Sequence, residues 1–192
     1  MRIGLPMRRS SSNYHEIVWA GKRWPSLEYC NVRKESLGWR ITGVIVMVLK
    51  ARRLGVHYEI VVGDRFDTRS LLLEKTELGI ERRRLIQRRH GAWLVDGRER
   101  GDLAECVDVD IEASPVTNTL PIRRARLKEG QKADLIVAWV RFPSLEVVSA
   151  RQSYERLSSR NYMFRSSGFA ARLKVDAFGL VTQYGNLWRE VK

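Results

Sequence analysis

Asp108 and Asp110 stand two residues apart in the passage DVDIEASPVTNTLPIRR, residues 108–124. On a strand that spacing turns both carboxylates to one face, where burial and like-charge repulsion would hold a proton on one of them. Such a pair could act as acid and base on a glycosidic bond at a separation of about 5–10 Å, or hold a cation. The same passage offers Asn118 and Thr119, which hydrogen-bond hydroxyls, and Arg123 and Arg124, whose forked guanidinium groups hold phosphate or carboxylate. DRFDTR supplies a second polar cluster, Asp64, Asp67 and Arg69. The competing reading is structural: the acids neutralise Arg69, Arg123 or Arg124, and the Thr-Asn-Thr turn between Pro115 and Pro121 caps backbone groups.

Other catalytic signatures are absent. The chain has no GxSxG elbow, Gly-rich phosphate loop, HExxH or GxGxxG, and His15, His57 and His90 share no metal-ligand spacing. No catalytic residue, metal ligand or cofactor is therefore assigned. Cys30 and Cys106 are too few for a disulfide framework and are expected as buried thiols in a reducing cytoplasm. The net charge of +13 raises nucleic acid as a partner, with ERRRLIQRRHGAW as its best stretch. That stretch lacks the interleaved aromatics of a phosphate-tracking groove, and its charge on both faces reads as an edge strand.

The elements that must position these residues are strands. In WRITGVIVMVL, Trp39, Ile41, Ile45, Met47 and Leu49 share one face; in GVHYEIVV, Val56, Tyr58, Ile60 and Val62 do; in FAARLKVD, Phe169, Ala171, Leu173 and Val175 do. Turn dipeptides recur between these runs, and TRSLLLEKTELGIERRRLI reads as two strands around Gly79 rather than a helix. The expectation is a mainly β chain of about ten or eleven strands forming a strongly curved antiparallel sheet, a half-barrel or a barrel. Residues 1–13 read as a disordered basic tail and 14–192 as one β domain. Similar hairpin patterns in its two parts admit related halves meeting near 100–115. The apolar run VIVMVL is far too short to cross a bilayer as a helix.

The DVDIEASPVTNTLPIRR passage also carries a resemblance. Together with LEYC (27–30), DRFDTR (64–69), HGAW (90–93), QSYERL (152–157) and VDAFGLVTQYGNLWRE near the end, it resembles the "putative glycolipid-binding" family of small bacterial proteins, with Phe66 and Glu105 as departures. The resemblance implies an open half-barrel like those of lipoprotein carriers, with an apolar interior for a lipid-like ligand. Bound there without catalysis, an amphiphile would have Trp39, Tyr58, Trp93 and Trp139 as wall. Asp108, Asp110, Asn118, Thr119, Arg123 and Arg124 would form the rim. The alternatives are a hydrolase using Asp108/Asp110 or Asp64/Asp67, and a basic nucleic-acid module.

Overall fold

The computed structural model describes residues 12–192, so most of the tail expected at 1–13 lies outside the described residues. The described residues begin in the middle of a single sheet. The chain lays down β1 (Tyr14–Gly21), β2 (Ser26–Glu35), β3 (Gly38–Leu49), β4 (Arg52–Val62), β5 (Thr68–Glu77), β6 (Ile80–Arg89), β7 (Ala92–Val95) and β8 (Arg98–Glu99) outward in order. It then crosses to the opposite edge as β9 (Asp108–Ile111). From there it works back through β10 (Lys132–Val140), β11 (Val147–Ser158), β12 (Asn161–Ser166), β13 (Phe169–Val175), β14 (Val181–Tyr184) and β15 (Trp188–Glu190) to pair with β1. Among the described residues the sheet has 15 strands, every neighbouring pair antiparallel except β9 with β10.

This topology demands curvature. The link 100–107 joins strands at opposite edges of the sheet, yet a chain of that length reaches at most about 30 Å, against about 65 Å across a flat sheet of this width. The sheet must curl until its edges approach. The buried Val109 N–H of β9 accordingly donates to Thr68 Oγ1 of β5, and Arg84 Nε of β6 donates to Leu145 O beyond β10. The barrel stays open, because no ladder joins β8 to β9.

Into this hollow the chain inserts the segment that connects β9 to β10. Residues 113–122 are buried throughout: a 3-10 turn at Val116–Asn118, then the helix α1 (Thr119–Ala125). Pro121 is tolerated because it lies in the first helical turn, where its missing N–H has no intrahelical partner to lose. Arg126 ends the helix at φ 47. Val116, Leu120 and Ile122 meet the apolar concave face, each worth about 1.5–3 kcal/mol when fully buried. Among the described residues no helix is long and apolar enough to cross a membrane.

Two expectations change. The strand count rises from the expected ten or eleven because the chain also forms strands as short as the two residues of β8, too short to show a period of two. And β6, read as an edge, is interior: β7 and β8 lie outside it, while Arg84 is committed to Asp96 and Leu145 O.

Because the strands alternate in direction, the connections at 22–25, 50–51, 78–79, 141–146, 167–168 and 185–187 all emerge at one end of the sheet. Those at 63–67, 90–91 and 176–180 emerge at the other.

Gly43 of β3 sits between Cys30 and Tyr58 in register, and a Cβ there would lie 2.2 Å from Tyr58 Cζ. Tyr58 is fixed by its own hydrogen bond and cannot swing away. Gly43→Ala should therefore cost at least about 2 kcal/mol by urea unfolding, and Ile45→Val on the same strand about 1 kcal/mol. Equal small losses would contradict this packing.

Candidate functional site

The concave face of β11–β15 carries Tyr154, Phe164, Tyr184 and Trp188, where that of β2–β5 is mostly aliphatic. Phe164 of β12, Tyr184 of β14 and Trp188 of β15 form a row of rings, with centroids 5.8 Å apart for Phe164 and Tyr184 across the intervening β13 and 5.5 Å for Tyr184 and Trp188. Facing them, half-buried, is Trp139 of β10. Between them lies a cleft of about 390 Å³, with Arg23, Phe169 and Leu187 near its mouth and Asp110, Ser114, Asn118 and Gln152 on its floor.

The floor is a fixed hydrogen-bond network. Asp110 accepts from Thr117 Oγ1 at 2.6 Å and from Gln152 Nε2 at 2.7 Å. Tyr154 OH donates to Asn118 Oδ1 at 2.9 Å, while Asn118 Nδ2 donates to Pro115 O at 3.0 Å. Ser114 Oγ takes a bond from Val116 N and donates, at 2.6 Å, to Glu28 Oε1. Tyr58 OH donates to the same Glu28 oxygen at 2.6 Å. Glu28 is thus a carboxyl buried in the first half of the sheet that reaches the cleft floor through Ser114. Its Oε2 has no partner among the described residues. Burial pushes Glu28 up to about 8 despite both bonds. It raises Asp110 as well, against the donors Thr117 and Gln152.

Of the residues singled out by sequence, Asp110, Asn118 and Trp139 line this cleft. Asp108 shares a strand face with Asp110 but no cavity with it, being fully buried in an ion pair with Arg124 at 2.7 Å. Burial outweighs that pair and raises its carboxyl too. No acid and base therefore meet across a common space in β9. Thr119 is buried, and its hydroxyl has no partner among the described residues. Arg123 points away, to the far end of the plug, where its guanidinium lies 4.0 Å from the Phe178 ring and 4.4 Å from Phe66, with Trp39 at 5.8 Å. It also donates to Phe178 O. Trp39 belongs to that aromatic cluster, Tyr58 lies beneath Glu28, and Trp93 is core, donating to Cys106 O at 2.9 Å. None of the three borders the cleft, because each is covered by the plug or by the link 100–107. Asp64, paired with Lys34, and Asp67, closing the turn at Gly63, sit with the exposed Arg69 at the opposite end of the sheet. Both cysteines are free and buried.

A model of the family described as "Putative glycolipid-binding" matches residues 16–190. The chain belongs to that family. It is also similar to the crystal structure of a DUF1089 family protein from Pseudomonas aeruginosa, with 26% identity, a TM-score of 0.77, and coverage of 100% of this chain and 99% of that one. No curated protein matches the chain. For this member of that family, sequence reasoning missed Glu28, Ser114, Gln152, Phe164, Tyr184 and Trp188. Glu28 had a usable signal: in LEYCNV it occupies the inward register with Cys30 and Val32, where a charged residue is an anomaly.

Glu28 sets a pH dependence. Its folded value, about 8, lies above the ordinary 4.5. The folded protein therefore keeps a proton that the unfolded chain releases, and stability falls as pH rises between those values, by about 1.4 kcal/mol per unit. Asp108 and Asp110 act in the same direction. Glu28→Gln keeps an acceptor for Tyr58 and Ser114 and removes Glu28's own share of the slope. Urea unfolding should show the variant gaining at least about 2 kcal/mol on wild type between pH 5 and pH 8. Parallel pH profiles would contradict a protonated Glu28.

Proposed function

We propose that the chain binds an amphiphile with a polyhydroxyl head, a glycolipid being the type case, and carries it without chemical conversion. The observation that supports this most is the pairing of aromatic faces with an immobile polar floor in one cleft. Phe164, Tyr184, Trp188 and Trp139 offer π surfaces of the kind on which the C–H faces of a sugar ring rest. Asp110, Asn118 and Gln152 offer acceptors and donors already oriented by Thr117, Tyr154 and one another, so little ordering is needed on binding. The volume falls in the range of small-molecule sites, about 300–1,000 Å³.

A larger, open groove of about 630 Å³ adjoins the cleft and shares Gln152, Ser166, Ser167 and Phe169 with it. Leu135, Ile136 and Ala170 add apolar surface there. In this reading the head enters the cleft and the acyl chain lies along the groove. Burying about 200 Å² of chain would supply about 5 kcal/mol, while the floor selects the head. Reduced, buried Cys30 and Cys106 support the cytoplasm as its compartment.

Titration with a monoacyl glycolipid below its micelle concentration, followed by tryptophan emission, should give saturable binding that the matching lysophospholipid reproduces at least about tenfold more weakly. Gln152→Ala and Asn118→Ala should each weaken it by about 1–2 kcal/mol, the scale of one lost hydrogen bond. Arg123→Ala should lower stability and leave affinity unchanged. The reading fails if no amphiphile changes the emission, or if the floor variants alter stability alone.

A further inference from the structure

The hairpin between β5 and β6 ends in a residue that its conformation and its surroundings both disfavour. Leu78 is 92% exposed at φ 51, followed by Gly79 at φ 74. Two successive left-handed residues make the turn that Asn-Gly or Asp-Gly adopts most readily. A leucine there is strained in backbone and stripped of packing, a breach of local rules with no structural return. Its neighbour Ile80 is 61% exposed. Behind the tip, the outer face of β2 and β3 adds Leu27 and Val46, paired in register, and Val48.

Cations surround this apolar tip. Lys50, Arg53 and Arg82 are exposed, and Lys22 stands at the next connection along the same end; none of the four forms an ion pair among the described residues. Opposing them are Glu81 and Glu77, the latter already taken by Arg52 and Lys75. The end of the sheet that bears the tip is also the end at which the cleft opens: Arg23 at 22–25, Ser167 at 167–168 and Leu187 at 185–187 all border it.

We propose that this end of the sheet docks on an anionic lipid bilayer, with Leu78 and Ile80 entering the interface and Lys22, Lys50, Arg53 and Arg82 meeting the headgroups. An occupant must accept an apolar tip and a ring of positive charge together, and a bilayer of acidic lipids is complementary to both. The net charge of +13 favours the encounter. The docking rests on the carrier reading for its purpose: a mouth turned to the membrane lets an amphiphile pass without its chain crossing water.

Flotation of the purified full chain with vesicles tests it. Vesicles of phosphatidylcholine with 30% phosphatidylglycerol should carry the protein up the gradient, pure phosphatidylcholine vesicles should not, and 0.5 M salt should weaken binding at least about tenfold, since the cations act through screened charge. Leu78→Asn restores a favoured turn, so it should leave the unfolding midpoint unchanged or higher while lowering vesicle binding at least about tenfold. Arg53→Glu with Arg82→Glu should lower it as far. Wild-type behaviour of Leu78→Asn on vesicles overturns the docking. So does a dimer that Leu78→Asn dissociates without effect on flotation, which would make the tip a contact with a second copy. Glycolipid titration of Leu78→Asn in solution should match wild type. If titration fails for both proteins while flotation stands, the carrier reading falls and the docking survives.

Discussion

The hydrogen bonding of the plug is the constraint on which the rest of the structure depends. Residues 113–122 lie inside a curled sheet, away from water, and every polar group they carry must find a partner or lose its solvation without return. Ser114 finds Glu28, in the first half of the sheet; Thr117 finds Asp110 and Asn118 finds Tyr154, in the second. At the C-terminal end Arg124 meets Asp108, and Arg123 enters the ring cluster of Phe66 and Phe178. The plug is thereby bonded to both halves, and these bonds, with the short link 100–107, hold an open sheet in a curled shape that no closing ladder enforces.

The same bonds make the cleft. Its floor is polar because the plug's partners are polar, and it is rigid because those partners are already engaged. Three carboxyls, Glu28, Asp108 and Asp110, are held in surroundings that favour their protonated forms. That arrangement costs stability above the ordinary carboxylate range. What it provides is a set of donors and acceptors fixed in place beside aromatic surface, the combination on which the proposed head-group selection rests.

The strands were legible because a sheet covered on one face writes a period of two into its sequence, as in β3 and β4, and because pairs such as His90-Gly91 and Asp96-Gly97 favour left-handed turns. The turn at 50–51 uses Lys and Ala in that conformation and gave no such signal. The plug was not legible as an interior element. It is too short to display helical periodicity, and Pro121 reads as a breaker unless its place in the first turn is known. Asp110, Asn118 and Trp139 could be suspected from their types. Phe164, Tyr184 and Trp188 could not be told from core aromatics, since what separates them is the space that the plug leaves empty, a property of the tertiary fold. Arg123 shows the converse: a guanidinium that sequence chemistry offers to a ligand is consumed by three aromatic rings from β3, the 63–67 turn and the 176–180 turn.

The most direct measurement is a crystal structure of the chain soaked or grown with a monoacyl glycolipid. The account predicts a sugar ring between Trp139 and the Tyr184/Trp188 pair, with hydroxyls on Asp110, Asn118 and Gln152, and the acyl chain leaving along Leu135 and Phe169. A cleft closed by those side chains, with the lipid bound elsewhere or absent, would contradict it.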